Sequence, residues 1–135
     1  MSDALRILAA LGLVALNAFF VATEFAITRV RLSQVVELEK LGRPGAKAAR
    51  HAVEQIDAYL AACQLGITIA SIGLGALAEP AFEHLLEPLV GALAPGISVG
   101  LSLVLALAIV TMLHVVLGEL APKSLAIART TKTVL

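Results

Sequence analysis

Asn17, Thr23 and Glu24 stand within one apolar segment, Gln64, Thr68 and Ser71 within a second, and Glu119 at the end of a third. Glu119 follows Gly118 and comes three residues before Pro122, which is itself followed by Lys123. The groups on offer are amide oxygens, hydroxyls, carboxylates and a backbone carbonyl. All are hard oxygen donors, suited to Mg²⁺, Ca²⁺ or Mn²⁺ rather than to zinc or copper. One or two carboxylates with neutral oxygens match Mg²⁺, and Na⁺ fits the same donors. A soft-metal site would want several Cys or His, whereas the chain has one cysteine and three histidines. Cys63, being alone, excludes an internal disulfide and reads as a small buried apolar residue. His114 reads as a hydrogen-bonded core residue rather than a ligand.

The stretch HVVLGELAPKSLAIA, His114 to Ala128, carries the sharpest signal. Pro122 has no N–H, so the helical bond it would donate to the Gly118 carbonyl cannot form. At membrane depth that carbonyl needs another partner. Beside Glu119 it is a natural ligand for a hard cation, and broken helices recur at transporter binding sites. The competing reading is a plain kink where the helix leaves the bilayer, with water on the carbonyl. Lys123 either snorkels to the headgroups or pairs with Glu119 when the site is empty.

Helical spacing groups these residues. Asn17 and Glu24 are seven apart and share a face, with Thr23 about 100° round. Gln64, Thr68, Ser71 and Gly75 step by four, three and four, a continuous stripe. Thr111, His114 and Gly118 step by three and four, with Glu119 adjacent. Polar residues in a span are costly in hydrocarbon, so they face protein or a wet cavity. Ala62, Gly66 and Ala70 form a small-xxx-small ridge that lets a neighbouring helix approach closely, and Gly73 and Gly75 extend that option or loosen the helix.

The elements that must position these groups are membrane helices. Of the 135 residues, 59% are hydrophobic and 15% charged, and mean hydropathy is +0.95. A soluble domain is nearer half apolar and a quarter charged. Three segments reach the roughly 20 apolar residues a span needs, at about 7–28, 58–78 and 97–118. The first is a poor secretory signal, because Arg6 sits beside Asp3 and the apolar run is long. The predicted class is therefore an all-α membrane protein with three spans in one domain. Net charge is formally zero and tryptophan is absent, which leaves no basic excess or stacking platform for nucleic acid. No nucleophile–base set, phosphate loop or redox motif appears, so an enzyme is not expected.

Orientation follows from the basic residues. Arg29, Arg31, Lys40, Arg43, Lys47 and Arg50 lie between the first two spans. Between the second and third lie Glu79, Glu83, His84 and Glu87, and beyond the third come Lys123, Arg129 and Lys132. The N-terminus is expected outside and the C-terminus in the cytoplasm. Leu32 to Leu41, with Ser33 as N-cap and Gly42 as stop before Pro44, reads as a short helix. Gly45 to Gln55 reads as another, both lying at the membrane surface with basic residues toward headgroups. A separate short outer helix is expected at about 80–92, between Pro80 and Pro95.

Three blocks in order, NAFFVATEFAITRVR at Asn17–Arg31, ACQLGITIASIGLG at Ala62–Gly75 and HVVLGELAPKSLAIA at His114–Ala128, resemble the transmembrane domain of the CorC / cyclin M magnesium transporters. The third block, with its Gly-Glu-x-x-Pro-Lys core, is the most specific, and the resemblance covers essentially the whole chain. It implies a homodimeric inner-membrane protein with three spans per subunit and a belt of juxtamembrane helices. It implies Mg²⁺ export, with Na⁺ entry as a candidate coupling, and an ion held between the helices. Carried over, it points to Thr23, Gln64, Ser71, Gly118, Glu119 and Pro122. Many relatives have Ser-Glu where this chain has Thr23-Glu24, and asparagine near Gln64; both changes keep an oxygen donor and alter its reach. The family also carries a cytosolic CBS-domain pair and a further C-terminal domain. Neither lies in these residues, so the chain is expected to be the membrane part of a longer protein whose cytosolic regulatory domains are its partners. The rival reading is a membrane scaffold or Mg²⁺ sensor whose polar residues only pack helices.

Overall fold

A computed structural model describes residues 2–93, 96 and 98–129. The expectations placed on Pro95, Ile97 and Lys132 lie outside the described residues. The described chain is helical throughout its elements: α1 (Asp3–Arg29), α2 (Leu32–Lys40), α3 (Ala46–Glu54), α4 (Ile56–Leu93), α5 (Ser98–Leu113), a π-helical turn (His114–Leu120) and α6 (Ala121–Ala128). No strand occurs among the described residues. Three stretches, Asp3–Arg29, Ile56–Leu93 and Gly100–Ala128, are long and apolar enough to cross a membrane. Only 22%, 22% and 17% of their most apolar windows are buried within the protein. The remaining apolar faces, including Leu8, Phe19, Ile72, Val104 and Met112, are exposed and suit hydrocarbon rather than water. The chain is a multi-pass membrane protein.

The helices pack by small residues and shape. α1 lies along α4, which also packs on α5, while the π-helical turn and α6 return to α1. At one end Ala10, Val14, Leu74, Ala78 and Val110 form an apolar cluster, flanked by Leu13 and Phe82. A Cβ on Gly66 would come within 2.5 Å of the Phe20 ring, and one on Gly73 within 3.0 Å of Leu13. With Ala70 buried between them, this is the close α1–α4 approach that the small-residue ridge foretells; Ala62, by contrast, is exposed.

Two boundaries differ from the sequence reading. The expected outer helix is not separate: α4 runs on through Pro80 and Pro88 for 38 residues. At 1.5 Å per residue that is about 57 Å, far more than the roughly 30 Å of hydrocarbon. Each proline deletes one helical bond, but Ala78, Ala81 and Val90 stay buried on both sides of the breaks, and continuous packing holds the axis. His84 Nδ1, 3.7 Å from Asp3 Oδ1, ties this extension to the start of α1. The second difference is that the third span continues past Gly118 into α6 rather than ending there.

The two short helices form as expected, with one change of cap. α2 begins at Leu32 rather than after Ser33, because Gln34 Oε1 accepts from the Arg31 N–H at 3.2 Å. Gly42 and Gly45 take positive φ, 69° and 80°, which turns the chain between the helices. Val30, Val35 and Ala49 make the small core that joins the pair to the foot of α1. Arg50 bridges the helices, bonding Glu54 at 2.9 Å and Glu39 at 3.0 Å. Those bonds, Glu54 first, raise its pKa above the ordinary guanidinium value.

Candidate functional site

The site begins with the local problem posed by Pro122. A proline in a helix both lacks a donor and pushes its ring against the carbonyl four residues back, here Gly118. The backbone answers by widening. His114–Leu120 adopts the π register, in which the Ala121 N–H reaches the Val116 carbonyl five residues back. Pro122 then falls in the first turn of α6, where no donor is needed. The helix is therefore widened, not broken.

The Gly118 carbonyl has a protein partner. Asn17, 1% exposed, donates from Nδ2 to Gly118 O at 2.9 Å, joining α1 to the π-helical turn. Glycine suits this approach: a Cβ at 118 would lie 3.0 Å from Asn17 Nδ2 and 3.0 Å from His114 Cδ2, so both side chains would have to give. Asn17 Oδ1 is buried with no hydrogen-bond partner, an acceptor left facing the protein interior. Buried polar atoms without a partner are rare and ask for a donor, a water or a cation.

A chain of polar contacts leads from there toward α4. Ser71 Oγ and His114 Nε2 are 3.3 Å apart, and His114 Nε2 is 3.8 Å from Glu119 Oε1. His114 is thus the bonded, half-buried residue that the sequence reading described. Next to this node opens a groove of about 530 Å³ between α1, α4 and the third span. Glu24, Gln64, Thr68, Glu119 and Lys123 line it, with Val21, Phe25, Ile67 and Leu120 as its apolar wall. Lys123 Nζ stands 4.8 Å from the centroid of the Phe25 ring. It forms no ion pair with Glu24 or Glu119 among the described residues, so the pairing with Glu119 raised from the sequence is not the arrangement found.

Most of the polar residues singled out from spacing fall in two adjoining groups. Glu24, Gln64, Thr68, Glu119 and Lys123 share the groove; Asn17, Ser71, His114 and Gly118 form the node behind it, and Glu119 belongs to both. Thr23 lines neither, and its hydroxyl donates back to the Phe19 carbonyl at 2.8 Å. Thr68, which lines the groove, likewise donates to the Gln64 carbonyl at 2.9 Å and keeps its oxygen as an acceptor. Among the described residues no three Asp, Glu, His or Cys side chains gather as a metal cage. Two carboxylates among neutral oxygens, in a space that takes several waters, fit an ion that keeps part of its hydration shell. Phe25 was missed in the sequence, where an aromatic in an apolar run gives no signal of its own.

Residues 8–135 match the cyclin M transmembrane N-terminal domain. The chain belongs to the cyclin M family. Among curated relatives, the Bacillus subtilis UPF0053 protein YhdT is 52% identical over 119 residues, which are 87% of this chain and 26% of YhdT. UPF0053 protein YhdP of the same organism is 49% identical over 129 residues, 94% of this chain and 29% of its own. The uncharacterized protein Rv1841c of Mycobacterium tuberculosis is 42% identical over 127 residues, 94% of this chain and 36% of its own. The chain thus spans between about a quarter and a third of the relatives it matches. What is conveyed is membership of a membrane family; the chemistry must come from the groove.

Proposed function

We propose that this domain carries Mg²⁺ across the membrane, taking it up in the groove between α1, α4 and the third span. The observation that carries the reading is the convergence of Glu24 and Glu119 with Gln64 and Thr68 on one open space at the end of the bundle away from Asp3 and His84. Two carboxylates at membrane depth are costly unless something positive or wet lies between them. Mg²⁺ sheds water reluctantly and is commonly held through one or two carboxylates with waters retained. Six waters occupy roughly 180 Å³, so a hydrated ion enters a space of about 530 Å³ without disturbing its walls. Deeper in, Asn17 Oδ1 and Ser71 Oγ are the neutral oxygens that replace shed water. Gly118 contributes by holding Asn17 through its carbonyl.

The basic residues of the loop that contains α2 and α3 support a groove mouth on the cytoplasmic side and an N-terminus outside. An inward-facing mouth suits export, and Na⁺ entry is the counter-flow we include as coupling. The proposal extends to a homodimer in a cell inner membrane, working with cytosolic regulatory domains of the longer protein. A scaffold or sensor would use the same polar contacts only as helix glue, at about 0.5–2 kcal/mol each. Mg²⁺ flux in proteoliposomes separates the two. The transporter reading predicts Mg²⁺ movement that slows about tenfold or more in Glu119→Gln; no flux above empty liposomes favours the scaffold.

A further inference from the structure

We propose that Lys123 is a tethered counter-charge of the cation groove, held off its carboxylates by the face of Phe25. This rests on the Mg²⁺ reading and adds a residue that governs how tightly the site holds its ion. Three charged side chains, Glu24, Glu119 and Lys123, line one groove, yet the ammonium stands 4.8 Å over an aromatic ring and pairs with neither acid. Phe25 follows Glu24 directly on α1, so its ring lies about 100° round the helix from that carboxylate. An ammonium within about 6 Å of a ring centroid is attracted to its face. At an exposed lysine that attraction is comparable with a solvent-screened charge pair. The ring therefore works as a parking place, from which a short swing of a flexible four-carbon stem reaches an acid.

The arrangement has two consequences for an ion. With Lys123 on the ring, both carboxylates are open to Mg²⁺, and the nearby positive charge keeps binding weak enough for release. With Lys123 on a carboxylate, the groove is neutralised and its affinity falls. Phe25 sets the balance between the two. A divalent cation feels a neighbouring unit charge twice as strongly as a monovalent one does, so the effect is larger for Mg²⁺ than for Na⁺.

The test is titration of MgCl₂ into the purified protein in detergent, followed by calorimetry, for wild type, Phe25→Leu, Lys123→Gln and the double variant. Phe25→Leu keeps an apolar wall and removes the ring; it is expected to weaken Mg²⁺ binding by about three- to tenfold. Lys123→Gln, a change at an exposed residue, is expected to tighten binding by about threefold or more. The double variant should match Lys123→Gln, because the ring then has no charge to hold. Failure of Lys123→Gln to tighten binding overturns the proposal whatever the fate of the Phe25 variants. So does a Phe25→Leu loss that persists without Lys123, since the ring would then act only through the shape of the groove. Absence of Mg²⁺ binding in wild type defeats the cation reading itself, a distinct outcome from either of these.

Discussion

Gly118→Ala adds one methyl group at the point where α1 meets the π-helical turn. That methyl would stand 3.0 Å from Asn17 Nδ2 and 3.0 Å from His114 Cδ2, where relaxed contacts lie near 3.5–4.0 Å. Both neighbours must give, and they lie on different elements. His114 is half-buried and can turn, but Asn17 is enclosed on α1 and can retreat only by lengthening its 2.9 Å bond to Gly118. Overpacking of this kind costs about 1–3 kcal/mol. A weakened interhelical hydrogen bond adds roughly 0.6–1.7 kcal/mol. Together these lower the melting temperature by roughly 5–15 °C for a domain of this length. The chain has no tryptophan, so far-ultraviolet circular dichroism in detergent is the suitable assay. Asn17→Ala on the same background removes one side of the clash, and the double variant should cost less than the sum of the singles. A wild-type melting curve for Gly118→Ala, or strict additivity with Asn17→Ala, refutes the described packing.

Other changes probe the remaining joints. Pro122→Ala restores an N–H opposite the Gly118 carbonyl; the π-helical turn should relax toward ordinary helix, leaving thermal stability equal or higher while Mg²⁺ affinity drops several-fold by calorimetry. Gly66→Ala puts a methyl group 2.5 Å from the Phe20 ring; it should lose about 1–3 kcal/mol in thermal unfolding, and Phe20→Leu should recover most of it by making room.

Much of this architecture is legible from residue type and period. Long apolar runs interrupted by few charges identify the spans, and the Gly42–Pro44 punctuation sets α2 apart from α3. The continuation of α4 through Pro80 and Pro88 is not legible, because the packing of Ala81 and Val90 that sustains it is tertiary. Pro122 announces a backbone problem at Gly118, and Asn17 and Glu24 announce a polar face on α1. That Asn17 supplies the missing bond depends on the depth at which two distant segments cross, which spacing within either one does not reveal. Thr23, close to Glu24 in sequence, turns away because a helical threonine readily bonds the carbonyl four residues back. The wall residue Phe25 carries no polar atom, so only the three-dimensional arrangement brings it to notice.

In the proposed site, Glu119 helps hold Mg²⁺ in the groove it shares with Glu24, Gln64 and Thr68. A unit charge at about 4 Å from a divalent ion contributes roughly 2 kcal/mol even in a water-like dielectric, more than a tenfold change in affinity. Calorimetric titration of Mg²⁺ into the purified protein and its Glu119→Ala variant measures this directly. Saturable binding to the wild type, weakened by an order of magnitude or more in the variant, is the expected result; equal binding by the two proteins would rule Glu119 out as a holder of the ion.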